Sequence, residues 1–138
     1  MSAKDIAHTV VRRALEKDGW RITHDPYYLN VGGVEMFIDL GAEEILAAER
    51  DDRKIAVEIK SFVSPSSISE FHKALGQFIN YKLALEEKDP HRELYLAAPS
   101  GTYNDFLTLP FIQKVIRRQQ LKLIIFDNYQ EAIAQWIN

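Results

Sequence analysis

Glu58-Ile59-Lys60, within the stretch KIAVEIKSF (54–62), sets a carboxylate and an ammonium two residues apart. Ile55, Val57 and Ile59 alternate with Ala56, Glu58 and Lys60. That is the period of a β-strand, so Glu58 and Lys60 share a face. Asp39 stands near the end of an earlier strand-like stretch, VEMFIDLG. If the two strands were neighbours, the carboxylates of Asp39 and Glu58 would converge. Such a pair suits Mg²⁺, which takes hard oxygen ligands and keeps several waters. A lysine on the same face can orient a water or steady the charge of a phosphate in the transition state, which is the chemistry of phosphodiester hydrolysis. The tripeptide also has an ordinary reading. Glu and Lys on the outer face of an antiparallel strand are usually solvated, and Asp39 before Gly41 fits an ordinary strand end.

The segment that follows bears on the choice. Gln77 and Tyr81 are four residues apart on a predicted long helix and share one of its faces, with Lys73 another four before them. This polar stripe is distinct from the apolar one made by Phe71, Leu75, Phe78 and Leu85. A helix packed on the sheet beside the first strands would let Lys73, Gln77 and Tyr81 line a cleft holding Asp39, Glu58 and Lys60. Other chemistry finds little support. His8, His24, His72 and His91 lack zinc-site spacing, there is no phosphate-binding glycine loop or nucleophile elbow, and cysteine is absent.

The elements that must position these residues follow from periodicity and punctuation. Residues 3–19 read as an amphipathic helix stopped at Gly19. WRITHDPYYLNV is irregular or extended, and Gly32-Gly33 is a turn. EILAAERDDRKIAVEIKSF reads as a hairpin about Asp51-Asp52. Ser67 with Glu70 suggests a capping box opening the long helix, which Pro90 closes. ELYLAAP is a strand, LPFIQKVIRRQQ a helix, LKLIIFD a buried strand and YQEAIAQWIN a closing helix. A meander followed by strand–helix–strand crossovers predicts a mixed sheet with helices on both faces and parallel later strands. The 138 residues suit one domain, 1–138. No apolar run would span a membrane, and the N-terminus lacks a signal-peptide layout, so a cytoplasmic protein is expected. The net charge of −3 argues against tight binding to nucleic acid by this chain alone. Phe106, Leu107, Leu109 and Phe111 form either a partner surface or a loop that packs back on the core.

In combination these residues resemble the PD-(D/E)xK nuclease superfamily. The resemblance implies a restriction-endonuclease-like α/β fold, a mixed central sheet flanked by helices. Asp39 matches the first acidic position, Glu58 the second and Lys60 the lysine. Gln77 and Tyr81 match the QxxxY pattern of the RecB-like members. More closely, IDLGAEEILAAERDDRKIAVEIKSF followed by EFHKALGQFINYKLAL resembles the XisH family of cyanobacterial element-excision controlling factors. That resemblance implies a role in programmed excision of a DNA element by a separate site-specific recombinase of the XisF type, beside a XisI-like companion, and is compatible with a homodimer. It also implies Mg²⁺ (or Mn²⁺) held by Asp39, Glu58 and the Ile59 carbonyl. Lys60 would position the attacking water, and Gln77 and Tyr81 would contact the phosphate or support Lys60. Two positions depart from the pattern. Ile38 replaces the proline before Asp39, and His8 takes the place of a first-helix acid, with Asp5 a turn earlier and Glu16 two turns later. A non-catalytic regulator that binds DNA or protein on the same fold is the alternative.

Overall fold

The computed structural model describes residues 2–36 and 45–138. Helix α1 (Ala3–Lys17) buries Ala7, Val10, Val11, Ala14 and Leu15 along one stripe. Its start is closed by a capping box in which the Ser2 hydroxyl accepts from the Asp5 N–H and the Asp5 carboxylate accepts from the Ser2 N–H. Gly19 turns the chain with φ +90°, a left-handed conformation that favours glycine, and a Cβ there would meet the Arg50 side chain at 3.3 Å.

The strands are β1 (Arg21–His24), β2 (Leu29–Val31), β3 (Val34–Met36), β4 (Ile45–Arg50), β5 (Arg53–Ile59), β6 (Arg92–Pro99), β7 (Leu123–Asp127) and β8 (Ala132–Ile137). The main sheet has the order β1-β4-β5-β6-β7-β8. β1, β4 and β5 form an antiparallel meander, with β4 and β5 joined at Asp51-Asp52 as expected. β5, β6 and β7 run parallel, and β8 returns antiparallel. The parallel crossovers are made by α2 (Ser67–Lys88) and by a helical run comprising α3 (Ser100–Thr102), a π-helical turn (Tyr103–Leu107) and α4 (Pro110–Arg118). Both steps go the same way along the sheet, so a constant crossover hand places α2 and α4 on one face. Phe71, Ala74 and Phe78 of α2 and Ile112 and Ile116 of α4 pack there on Ala56, Leu96 and Ile125. α1 covers the other face, over Ile55, Val57, Ile59 and Tyr95. Helices therefore flank a mixed sheet on both faces, as the crossover pattern predicts.

Three expectations change. First, the described part of the strand expected in VEMFIDLG, β3 (Val34–Met36), pairs with β2 in a separate ribbon, turned by Gly32 (φ 55°) and Gly33 (φ 82°). The meander takes β1 as its first strand instead. Asp39 lies outside the described residues. Second, the N-cap of α2 is Ser66, whose hydroxyl accepts from the Ser69 N–H. Several serines compete here, and the cap falls where the backbone is still extended. Third, the expected closing helix is strand β8. Ile133, Trp136 and Ile137 have helical spacing, but a bulge in β8 passes over Ala134 in the register with β7. The extra residue puts Ile133 and Trp136 on the same face, under α1. A bulged strand thus imitates a helical pattern. Of the apolar loop residues, Leu107 is buried and Phe106 packs edge-on to Phe71 at 6.0 Å, while Leu109 and Phe111 stay exposed.

Arg92, at the start of β6, ties three elements together. Its guanidinium donates to the Ile55 carbonyl at 3.0 Å and to Asp89 at 2.7 Å, and it lies 3.6 Å from Glu49. Tyr27 donates its hydroxyl to Asp89 from across the α2 terminus. Burial pushes the Asp89 carboxyl up, but the hydrogen bond and charge of Arg92 outweigh it and hold Asp89 below its ordinary 3.8. Asp89 and Glu49 keep some solvent contact, so Arg92→Met is expected to cost about 2–3 kcal/mol, read as a lower urea midpoint at unchanged slope. The Asp89 contribution is present above the ordinary carboxylate value and disappears as pH falls through its depressed folded value. Acid unfolding profiles of the wild type and Arg92→Met should therefore converge at low pH.

Candidate functional site

β5 alternates faces as its sequence dictates. Ile55, Val57 and Ile59 face α1, while Ala56 faces α2. Glu58 and Lys60 have the parity of Ala56 and Phe62, so they point to the α2 side. They are not solvated: Glu58 is 1% exposed and Lys60 4%. The solvated-face reading of the tripeptide is thereby overturned. It assumed a half-exposed antiparallel strand, whereas β5 lies inside the sheet between β4 and β6, covered on both faces. Lys60 extends the parallel pairing by donating its N–H to the Ala97 carbonyl at 3.0 Å. Its ammonium lies 4.0 Å from the Glu58 carboxylate, an electrostatic contact rather than a direct hydrogen bond. Just beyond, Phe62 holds a left-handed backbone (φ 54°) with its side chain in the core, and α2 begins five residues later. That conformation is uncommon for an aromatic residue and marks the bend between strand and helix.

The predicted polar stripe of α2 does not share one environment. Tyr81 is buried, Gln77 is half-buried and Lys73 is exposed. The Gln77 side-chain oxygen is buried and has no hydrogen-bond partner among the described residues. Tyr81 senses Glu58: burial first, and then the Glu58 charge, push its hydroxyl up to about 12. The phenol therefore stays protonated and remains a donor at neutral pH. The structure thus brings Glu58, Lys60 and Tyr81 to one face, with Gln77 a turn before Tyr81 on the same helix, and leaves Lys73 in solvent. Ile59 lies between the charged pair with its side chain on the α1 face.

A second polar cluster, which the sequence hinted at only through His8, involves β1. Asp25 follows β1 directly, and its Oδ2 is held by His8 Nε2 at 2.8 Å and by Arg12. Its Oδ1 is buried with no hydrogen-bond partner among the described residues. The register pairs His24 with Ala47 and Ile45 with Glu58, so Asp25 and Glu58 lie toward the same end of the sheet, where β5 and β6 terminate. Asp25 went unnoticed because it reads as a turn residue before Pro26. Of the first-helix acids, Asp5 is engaged in the capping box and Glu16 is exposed.

For a hard divalent cation, the fit is one of donor type. Glu58 supplies a buried carboxylate and Gln77 a buried orphan oxygen, both oxygen donors. Among the described residues, no group of three or more His, Cys, Asp or Glu stands ready to enclose an ion. Glu58 and Gln77 would therefore serve only with waters and further oxygens, such as those expected from Asp39.

These features define a mixed α/β protein with a buried acid–lysine pair where parallel strands end. The sequence model of one family, described as XisH protein, matches residues 1–134, and the chain belongs to the XisH family. It is similar to the crystal structure of an XisH family protein from Nostoc punctiforme, at 52% identity and a TM-score of 0.90, over 97% of this chain and 100% of that one. It is equally similar to an fdxN element excision controlling factor protein from Anabaena variabilis, at 51% identity and a TM-score of 0.90, over 97% and 99% of the two chains. No curated protein matches it. Among the described residues, no helix is long and apolar enough to cross a membrane.

The link between Tyr81 and Glu58 can be tested by following tyrosinate absorbance at alkaline pH. Tyr81→Phe should remove a step near pH 12, and Glu58→Gln should move that step downward. The raised value means that any stability owed to neutral Tyr81 is present below pH 10 and is lost as pH climbs toward about 12. A step unmoved in Glu58→Gln would refute the coupling.

Proposed function

We propose that this chain is a controlling factor for programmed site-specific excision of a DNA element, built on a restriction-endonuclease-like form of the mixed sheet and carrying a cation-dependent phosphodiester-hydrolysis site. The observation that carries the reading is the buried Glu58–Lys60 pair under α2, beside Tyr81, at the carboxyl ends of parallel strands. That end of an α/β sheet is the usual place for a ligand, because side chains and loops converge there without closing the ladder. Family membership and the name carried by the Anabaena variabilis relative support the excision role.

In this reading Glu58, with Asp39 and the Ile59 carbonyl, would hold Mg²⁺ or Mn²⁺. A bound cation would supply positive charge at the phosphate and make a nearby water more acidic. Lys60 would balance charge developing on a phosphate oxygen and orient the attacking water. The Tyr81 hydroxyl, kept protonated, would donate a hydrogen bond, and the Gln77 oxygen would accept one. A XisI-like companion and a XisF-type recombinase would complete the system, with DNA as substrate.

Incubation with Mg²⁺ or Mn²⁺ and single-stranded, duplex and branched DNA should give cleavage that Lys60→Ala reduces by about 100-fold or more. Circular dichroism would check that the variant folds. Absence of cleavage on all three substrates would reject the hydrolytic reading.

Burial of Glu58 and Lys60 to 1% and 4% exposure, with a net charge of −3, favours a second reading in which the pair organises a non-catalytic platform. An excision assay separates the two. Asp39→Asn should leave excision intact if the chain is a platform, and abolish it if the chain hydrolyses DNA.

A further inference from the structure

Helix α4 carries a face that neither the core nor the candidate site uses. Its buried side chains are Ile112 and Ile116. At 100° per residue, Lys114 points directly away from their midline, and Phe111, Arg117 and Arg118 lie within about 60° of it. All four are exposed, Phe111 to 68%. The cations of this face are also unopposed. Residues 106–126 hold four cations and no acid, in a chain of net charge −3. Of the eight arginines, the six outside α4 each lie within 4.0 Å of a carboxylate. Lys122 is met by Glu93 at 3.1 Å, whereas among the described residues Lys114, Arg117 and Arg118 have no ion pair. Cations in a last turn complement the helix dipole. That accounts for Arg117 and Arg118, but not for Lys114 a turn earlier, nor for an exposed phenyl ring beside them.

We infer that this face binds single-stranded DNA, with Lys114, Arg117 and Arg118 on backbone phosphates and Phe111 stacked on a base. One ligand then explains both the unopposed cations and the exposed ring. The phosphates supply the anions that the chain itself does not, and an unstacked base offers the phenyl ring a flat partner. A duplex keeps its bases stacked on one another, so it would satisfy the cations and leave the ring in water. From Phe111 to Arg118 the stripe is about 10 Å long, the span of about three stacked nucleotides. Its direction fits as well. The chain leaves β6, runs through α4 and returns to β7, so Phe111 stands at the carboxyl ends of the parallel strands, the end that holds Glu58 and Lys60. A strand of DNA held along α4 therefore runs toward the candidate site. The inference rests on DNA as the substrate of the proposed function, but not on its hydrolysis.

The test is binding of a fluorescent single-stranded oligonucleotide of mixed sequence by the full chain, with EDTA present to prevent cleavage. The expected Kd is about 1–100 µM at about 50 mM salt. Lys114→Gln and Arg118→Gln should each weaken binding and flatten the slope of log K against log salt by about 0.7. Phe111→Ala should weaken binding about 5- to 100-fold at unchanged slope, because it removes stacking and no charge. Lys88→Gln, at an exposed lysine in the last turn of α2, should change neither quantity. No binding by the wild type, full affinity in Phe111→Ala, equal losses in Lys88→Gln, or equal binding of duplex DNA or polyglutamate would overturn the proposal. The substituted residues are exposed, so melting temperatures should stay unchanged, and the salt slope reads the phosphate contact whatever fraction is folded. Binding that depends on α4, without cleavage when Mg²⁺ is supplied, would keep this surface and reject hydrolysis. Cleavage with α4 variants that bind normally would do the reverse.

Discussion

Two opposite charges held beneath a helix constrain the rest of this protein. Removing a carboxylate and an ammonium from water costs several kcal/mol each, and their attraction offsets that only when further polar groups converge on them. Glu58 and Lys60 meet the condition through position. A period-2 strand sends both to one face, the parallel ladder fixes the Lys60 backbone, and α2 lowers Tyr81 into their field. The separation of 4.0 Å is too long for a direct hydrogen bond. A pair so placed contributes little to stability compared with an apolar pair of the same volume. It stands at the carboxyl end of a central strand, buried on the α2 side.

The opposite end of β5 is organised by a different device. Arg92 fastens the β4–β5 hairpin to the end of α2 through the Ile55 carbonyl, Glu49 and Asp89. The same strand thus carries a saturated structural charge network at one end and a looser buried pair at the other. The difference is chemical. Guanidinium presents five donors in a rigid plane and can satisfy several acceptors at once, whereas an ammonium on a flexible stem is better suited to respond to a charge that comes and goes.

Much of the architecture was legible in the residues. The α1 stripe, the hairpin at Asp51-Asp52, the long helix ended before Pro90 and the parallel strands β6 and β7 all follow from local periodicity and punctuation. The misreadings have physical causes. A bulge at Ala134 gave β8 a helical spacing, clustered serines blurred the cap of α2 by one residue, and β2 and β3 form their own ribbon instead of entering the main sheet. Local pattern carries no information about which strand pairs with which, and that is why the first strand of the meander was misassigned.

The sequence by itself determined that Glu58 and Lys60 share a face and that Gln77 and Tyr81 follow on one helix, because both statements depend only on the repeat of a strand and of a helix. It also determined the family. Tertiary structure alone decided that this face is buried, that Tyr81 reaches it while Lys73 does not, and that Asp25 joins His8 and Arg12 toward the same end of the sheet. Those facts depend on the neighbours of β5 and on how α2 packs against the sheet. Both are set by contacts between residues far apart in the chain, which no short-range pattern encodes.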